Sequence, residues 1–158
     1  MLLIHLLHIK YELNGFNLSA QLQATGFSTV VAGMFGQMFV PSSDPARKQA
    51  IIERALAFSP EIGLALFPRM VGWDARHMEH ALQTLKQPIL ALQSTTLNIE
   101  RQRVPLQAGQ STPLLDALRR LSSNVRIEII LDAGHFVNID KPDVVNRNIE
   151  TFIDGMVS

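Results

Sequence analysis

A chain of 158 residues is long enough to bury a real core and short enough to predict one domain. With 47% apolar and 18% charged residues it reads as globular rather than disordered, and 14 basic against 14 acidic residues leave a formal net charge of zero. That balance removes any electrostatic case for nucleic acid or an anionic membrane surface, and the absence of cysteine excludes disulfides and thiolate chemistry.

The chain opens on Met1–Ile9, M-L-L-I-H-L-L-H-I, an apolar run interrupted by His5 and His8. The run is too short to span a bilayer, and it lacks the basic start and small-residue cleavage site of a secretory signal. No membrane partner is therefore expected, and a cytoplasmic location is. His5 and His8 are three apart and would share a helix face. No further ligand follows at similar density, so a buried strand or helix is expected there, with no metal. Asn17-Leu18-Ser19 fits a glycosylation sequon, which matters only in a secreted chain. Residues 1–19 are set apart as an atypical N-terminal segment.

From about residue 20 to residue 86 the pattern is helical, in pieces separated by Pro and Gly. Phe27, Val30, Val31, Met34, Phe35 and Met38 recur at helical spacing, with Gly26, Gly33 and Gly36 weakening or dividing the helix. Gly26-Phe27-Ser28 has the beginning of a nucleophile elbow, but Val30 stands where the second glycine belongs and no strand precedes it, so Ser28 is rejected as a nucleophile. Asp44-Pro45 and Ser59-Pro60 are helix starts, Pro68 is read as a stop, and Asp74 as the cap of a further helix with Met78, Ala81, Leu82 and Leu85 on its apolar side. The cap role explains Asp74 better than a catalytic carboxylate would. His77 and His80 lack a third ligand and are read as surface residues.

Residues 87–158 change character. Pro88–Gln93, P-I-L-A-L-Q, predicts a parallel strand buried on both faces. Ser111-Thr112-Pro113 starts a helix with Leu114, Leu115, Leu118 and Leu121 on its face, and Arg119 and Arg120 suit its C-terminal end. Val125, Ile127 and Ile129 alternate with Arg126 and Glu128 before Ile129-Ile130-Leu131, predicting a strand that deepens into a core. The strand-helix-strand order implies parallel pairing. Ala133 and Gly134 are expected to turn the chain sharply, delivering His135 to the end of the strand, where open α/β sheets keep their chemistry. Pro142 opens a last helix with Val145, Ile149, Phe152, Ile153 and Met156 along its face.

At A-G-H-F, a short loop, K-P-D and a closing helix, the chain resembles the C-terminal end of the α/β-hydrolase family. The resemblance covers about residues 20–158, with V-G-W-D-A, a helix and L-K-Q-P-I-L-A-L-Q-S-T-T similar to that family's return from cap to core. It implies a helix-rich partial α/β-hydrolase fold: a helical cap over residues 20–86, then a β-α-β-α end of a parallel sheet over residues 87–158. It implies that His135 is the base of a Ser-His-acid triad; a loop histidine packed on a helix is the plainer alternative. The family's usual aspartate after the penultimate strand is missing from Gln93-Ser94-Thr95-Thr96-Leu97-Asn98-Ile99-Glu100-Arg101. Glu100 is the candidate acid. A pairing of Glu100 with Arg101 or Arg103 on a solvated loop, or an acid from a portion outside this chain, are the alternatives. Phe35, Met38 and Trp73 are candidate pocket walls for a small hydrophobic acyl substrate.

No G-x-S-x-G occurs in the sequence, nor a His-Gly-Gly type oxyanion loop. A histidine base without a nucleophile and oxyanion donors cannot run acyl transfer alone. The expectation is a hydrolase portion, needing no cofactor, whose serine lies elsewhere. A non-catalytic helical interaction or dimerisation module is the second reading. Two strands are too few for a stable open sheet, so a homo-oligomer, or completion by an N-terminal half, is expected.

Overall fold

The computed structural model describes residue 20 and residues 22–100 and 102–157. The expectations for Met1–Ile9 and for the sequon at Asn17 lie outside the described residues. The chain is mixed α/β and separates into two compact units. One comprises the described residues up to Phe35 together with Gln49–Thr84, and the other Gly36–Lys48 together with the chain from Leu85 onward.

The first unit is helical. Residues 22–25 are helical and stop at Gly26, whose φ of +87° is a conformation that glycine adopts without strain. The Gly26 carbonyl then accepts from the Val30 amide, which launches α1, Phe27–Gly36. Leu22, Phe27 and Val31 are buried, and Val30, Phe35, Ala55 and Phe67 pack around them. The Phe27 and Phe67 rings stack at 6.1 Å between centroids. The Phe27 ring fills the space a side chain at residue 63 would need, so Gly63 is what lets the ring lie against the backbone of its helix. Helix α2, Pro45–Leu56, starts as expected: Asp44 Oδ1 accepts from the Ala46 amide at 2.9 Å.

Helix α3 corrects the sequence reading. It runs unbroken from Pro60 to Thr84, with Pro68 inside it and Asp74 in mid-helix, where no cap role exists. An interior proline removes one backbone hydrogen bond and costs about 3 kcal/mol. Good helix formers on both sides and burial of Gly63, Ala75 and Leu82 along the same helix offset that penalty. His77 and His80 are exposed, as expected.

The second unit carries the strands. β1, Ile89–Gln93, pairs in parallel with β4, Val125–Ile129, in register from Ile89 opposite Val125 to Gln93 opposite Ile129. Helix α4, Pro113–Leu121, makes the crossover. Thr112 caps it by accepting from the Leu115 amide at 3.2 Å, and Leu115 and Leu118 are buried while Leu114 faces outward. The expectation of a strand buried on both faces is not met: every residue of β1 and β4 is only partly buried. The physical reason is the size of this sheet: among the described residues, each of its two strands has an open edge.

A second, antiparallel pair was not foreseen. β2, Thr95–Leu97, pairs with β3, Arg103–Pro105, and Asn98 closes the turn between them by accepting from the Gln102 amide at 2.8 Å. After β4 come the short helix α5, Val137–Asp140, and the last helix α6, Pro142–Val157. Val145 of α6 is buried, whereas Ile149, Ile153 and Met156 of its expected apolar face are 41–49% exposed.

Candidate functional site

The site grows from the carboxyl ends of the two parallel strands. β4 runs into Ile130, whose amide donates to the Gln93 carbonyl at the end of β1. The turn itself is made by Asp132, with φ of 54°, a conformation aspartate tolerates better than most residues. Gly134 has a different task from the one expected. A Cβ there would strike the Met38 carbonyl oxygen, the Asp140 carboxylate and the Phe39 backbone. Glycine is therefore required for close approach of two backbone segments.

Three hydrogen bonds hold the turn. The Gly134 amide donates to Asp140 Oδ2 at 2.7 Å, Ser94 Oγ donates to the Gly134 carbonyl at 2.5 Å, and the His135 amide donates to the Met38 carbonyl at 2.7 Å. Ser94 and Ala133 are buried, so the supporting face is dry. The imidazole stands outside it, edge-on to Phe136 at 5.1 Å, and Phe136 in turn contacts Phe39 at 5.4 Å. A histidine presented this way has a fixed backbone and an accessible ring.

His135 is exposed as a residue, yet protein packs around the ring closely enough to matter electrostatically. Desolvation lowers its pKa from the ordinary imidazole value of 6.5, and the positive charge of Arg103 lowers it further. The imidazole is therefore neutral at pH 7, the form that accepts a proton. In the unfolded chain the same group titrates near 6.5, so as pH falls through that value and then through the lowered folded value, the unfolded state binds its proton first. Stability is thus retained above 6.5 and lost below it. Urea midpoints over roughly pH 5 to 8 are expected to fall less steeply at the acid end in His135→Gln than in the parent. Parallel curves would contradict this environment.

Arg103 is the residue the sequence reading undervalued. Its guanidinium is partly buried, and desolvation lowers its pKa. Its backbone amide donates to Gln37 Oε1 at 3.1 Å and its Nη1 to Thr95 Oγ1 at 3.0 Å. An ion pair between Arg103 and Glu100 is not among those formed by the described residues. Glu100 itself lies exposed in the turn between β2 and β3. No ion pair joins it to His135 among the described residues.

Of the candidate pocket walls, Met38 belongs to the sheet unit and meets the site through its carbonyl. Phe35 and Trp73 belong to the helical unit, Phe35 against the Leu22–Phe27–Val31 core and Trp73 exposed on α3, 5.6 Å from the His77 ring. An open depression of about 410 Å³ lined by Pro88, Asn124, Arg126 and Phe152 lies at the opposite, amino ends of β1 and β4 and includes none of the candidate residues. Among the described residues no cluster of His, Asp and Glu suits a metal ion, and no helix is long and apolar enough to cross a membrane. No protein-family model, curated protein or solved structure matches the chain.

Proposed function

We propose that this chain is the base-bearing C-terminal portion of a serine-type α/β-hydrolase, acting on ester-like or other small hydrophobic acyl substrates once a nucleophile and an oxyanion site are supplied from outside it. The observation that carries this reading is the turn after β4. A parallel β1–β4 pair joined by α4 ends at three hydrogen bonds from separate segments, and these present a neutral His135 at the carboxyl edge of the strands. That much construction around one exposed ring exceeds what a merely packed histidine needs. Glu100 is the proposed acid within this chain, on its place in the loop after β2 alone.

The test is intact mass after treatment with a fluorophosphonate. It is run on this chain and on the chain extended through upstream coding sequence bearing a G-x-S-x-G. The chain alone is expected to stay unlabelled, and the extended chain to take one adduct that disappears in His135→Ala. An adduct that survives His135→Ala would remove His135 from the base role. Absence of any such upstream motif would remove the hydrolase reading.

One observation favours the second reading, a non-catalytic helical interaction or dimerisation module. Ile62, Leu66, Met70 and Trp73 recur at helical spacing along α3 and are each 47–54% exposed. On that reading the folded chain sediments as a homo-oligomer and never reacts with the probe.

A further inference from the structure

The depression at the amino ends of β1 and β4 plays no part in the site at their carboxyl ends. Its wall comes from three segments that the fold brings together. Asn124 precedes β4 and Arg126 is its second residue, so the two share one face of the sheet. Pro88 stands just before β1, whose first residue Ile89 pairs with Val125. Helix α6 supplies Phe152, Gly155 and Met156 from its last turns. A side chain at Gly155 would meet nothing within 4 Å, so part of the room here is the space that glycine leaves. The volume of about 410 Å³ is in the range that holds a small organic molecule.

The groups around the depression decide what kind of molecule suits it. Among the described residues, Arg126 is the one charged side chain of the wall, and its Nε donates to Glu128 Oε1 at 3.2 Å. Glu128 lies two residues further along the same face, so an anion at the guanidinium would meet that carboxylate. It would also meet the carboxyl end of α6, whose last carbonyls lack helical partners and carry partial negative charge. A cation is opposed by Arg126 itself. Asp154, beside Gly155 in sequence, is not part of the wall. The backbone of Asn124 is engaged with Ser122 and Ile89, but its carboxamide makes no hydrogen bond among the described residues. That carboxamide offers a donor and an acceptor side by side, and the terminal N–H groups of Arg126 offer further donors. Pro88, Phe152 and Met156 give the same space an apolar side that suits a ring.

We propose that this depression binds a small, neutral, planar amide: an aromatic ring or heteroring carrying an amide-type donor and acceptor at one edge. The ring lies against Phe152, Met156 and Pro88, and the polar edge meets the Asn124 carboxamide and the Arg126 guanidinium. The site is independent of His135 and of the hydrolase reading.

The experiment titrates the full chain with benzamide, benzoate and benzamidine, three molecules of one shape that are neutral, negative and positive, and follows backbone and Asn124 side-chain resonances by NMR. Benzamide is expected to bind with a Kd on the order of 1 mM, as befits a small ligand in an open site, and to shift residues 124, 126, 152, 155 and 156. The His135 resonance is expected to stay where it is. Benzoate and benzamidine are expected to bind at least about threefold more weakly. Asn124→Ala is expected to weaken benzamide about fivefold. Gly155→Leu fills the space without a clash and favours helix, so it is expected to fold as the parent does and to abolish the shifts. Benzamide that causes no shifts, or shifts that survive Gly155→Leu, would overturn the site. Benzoate or benzamidine binding as tightly as benzamide would overturn its assignment to a neutral ligand.

Discussion

Replacing Gly134 by alanine is expected to destabilise the sheet unit by about 3 kcal/mol and to release His135 from its position. The added methyl has nowhere to go. Two of the three groups it would meet, the Met38 carbonyl and the Phe39 Cα, are backbone, and a backbone cannot swing aside as the end of a long side chain can. If the 133–135 segment moves instead, three hydrogen bonds are strained at once: Gly134 to Asp140, Ser94 to Gly134, and His135 to Met38. Ser94 is buried, so a Ser94 hydroxyl left without its acceptor adds its own desolvation penalty. The same acceptor, the Met38 carbonyl, is the one a new methyl would crowd, which couples the steric and hydrogen-bonding losses. Urea unfolding gives the stability change, and the His135 imidazole resonance should move toward the value of a solvated histidine. A variant with parent stability and an unmoved resonance would show that the two segments are not as close as described.

The role of Gly134 also marks how far the sequence could be read. An Ala-Gly pair before a histidine correctly indicated a turn, because small residues and glycine carry that information locally. Which residue bends the chain and which permits contact depends on Met38 and Phe39, almost a hundred positions earlier, and nothing local encodes that. The parallel β1–β4 pair and its crossover were legible for the opposite reason. P-I-L-A-L-Q, V-R-I-E-I-I and the leucine face of α4 each carry their own periodicity, and the connection rule supplies the pairing. The β2–β3 hairpin was hidden because Thr95–Leu97 and Arg103–Pro105 are too short to show a period. Pro68 misled because its local penalty is real but is overridden by packing along a long helix. Arg103 was seen only as a neighbour in sequence to Glu100. Its attachment to Gln37 and Thr95 is a tertiary fact, and its charge adds to the desolvation that lowers the His135 pKa.

Leu115→Ala is expected to cost about 3 kcal/mol, comparable to the Gly134 change but with a different signature. Leu115 is fully buried, the most enclosed large side chain of the sheet unit, on the helix that joins the two parallel strands. Truncation removes the transfer energy of the deleted carbons and leaves a cavity that a two-stranded sheet and one short helix can only partly close. The helix itself should persist, since its Thr112 cap accepts from the backbone amide of residue 115, which alanine retains. Alanine also has the higher helix propensity, so a purely local account would predict no loss or a slight gain. The two accounts therefore differ in sign. A lowered urea midpoint with α4 still formed, and with the His135 resonance unchanged until the unit unfolds, would show that the crossover helix stabilises the strands through burial. It would also show that the site is positioned by the 37–39, 94 and 140 contacts rather than by general compactness. A midpoint equal to or above the parent's would mean that α4 contributes little to holding β1 against β4, and that the parallel pair is held by its own ladder.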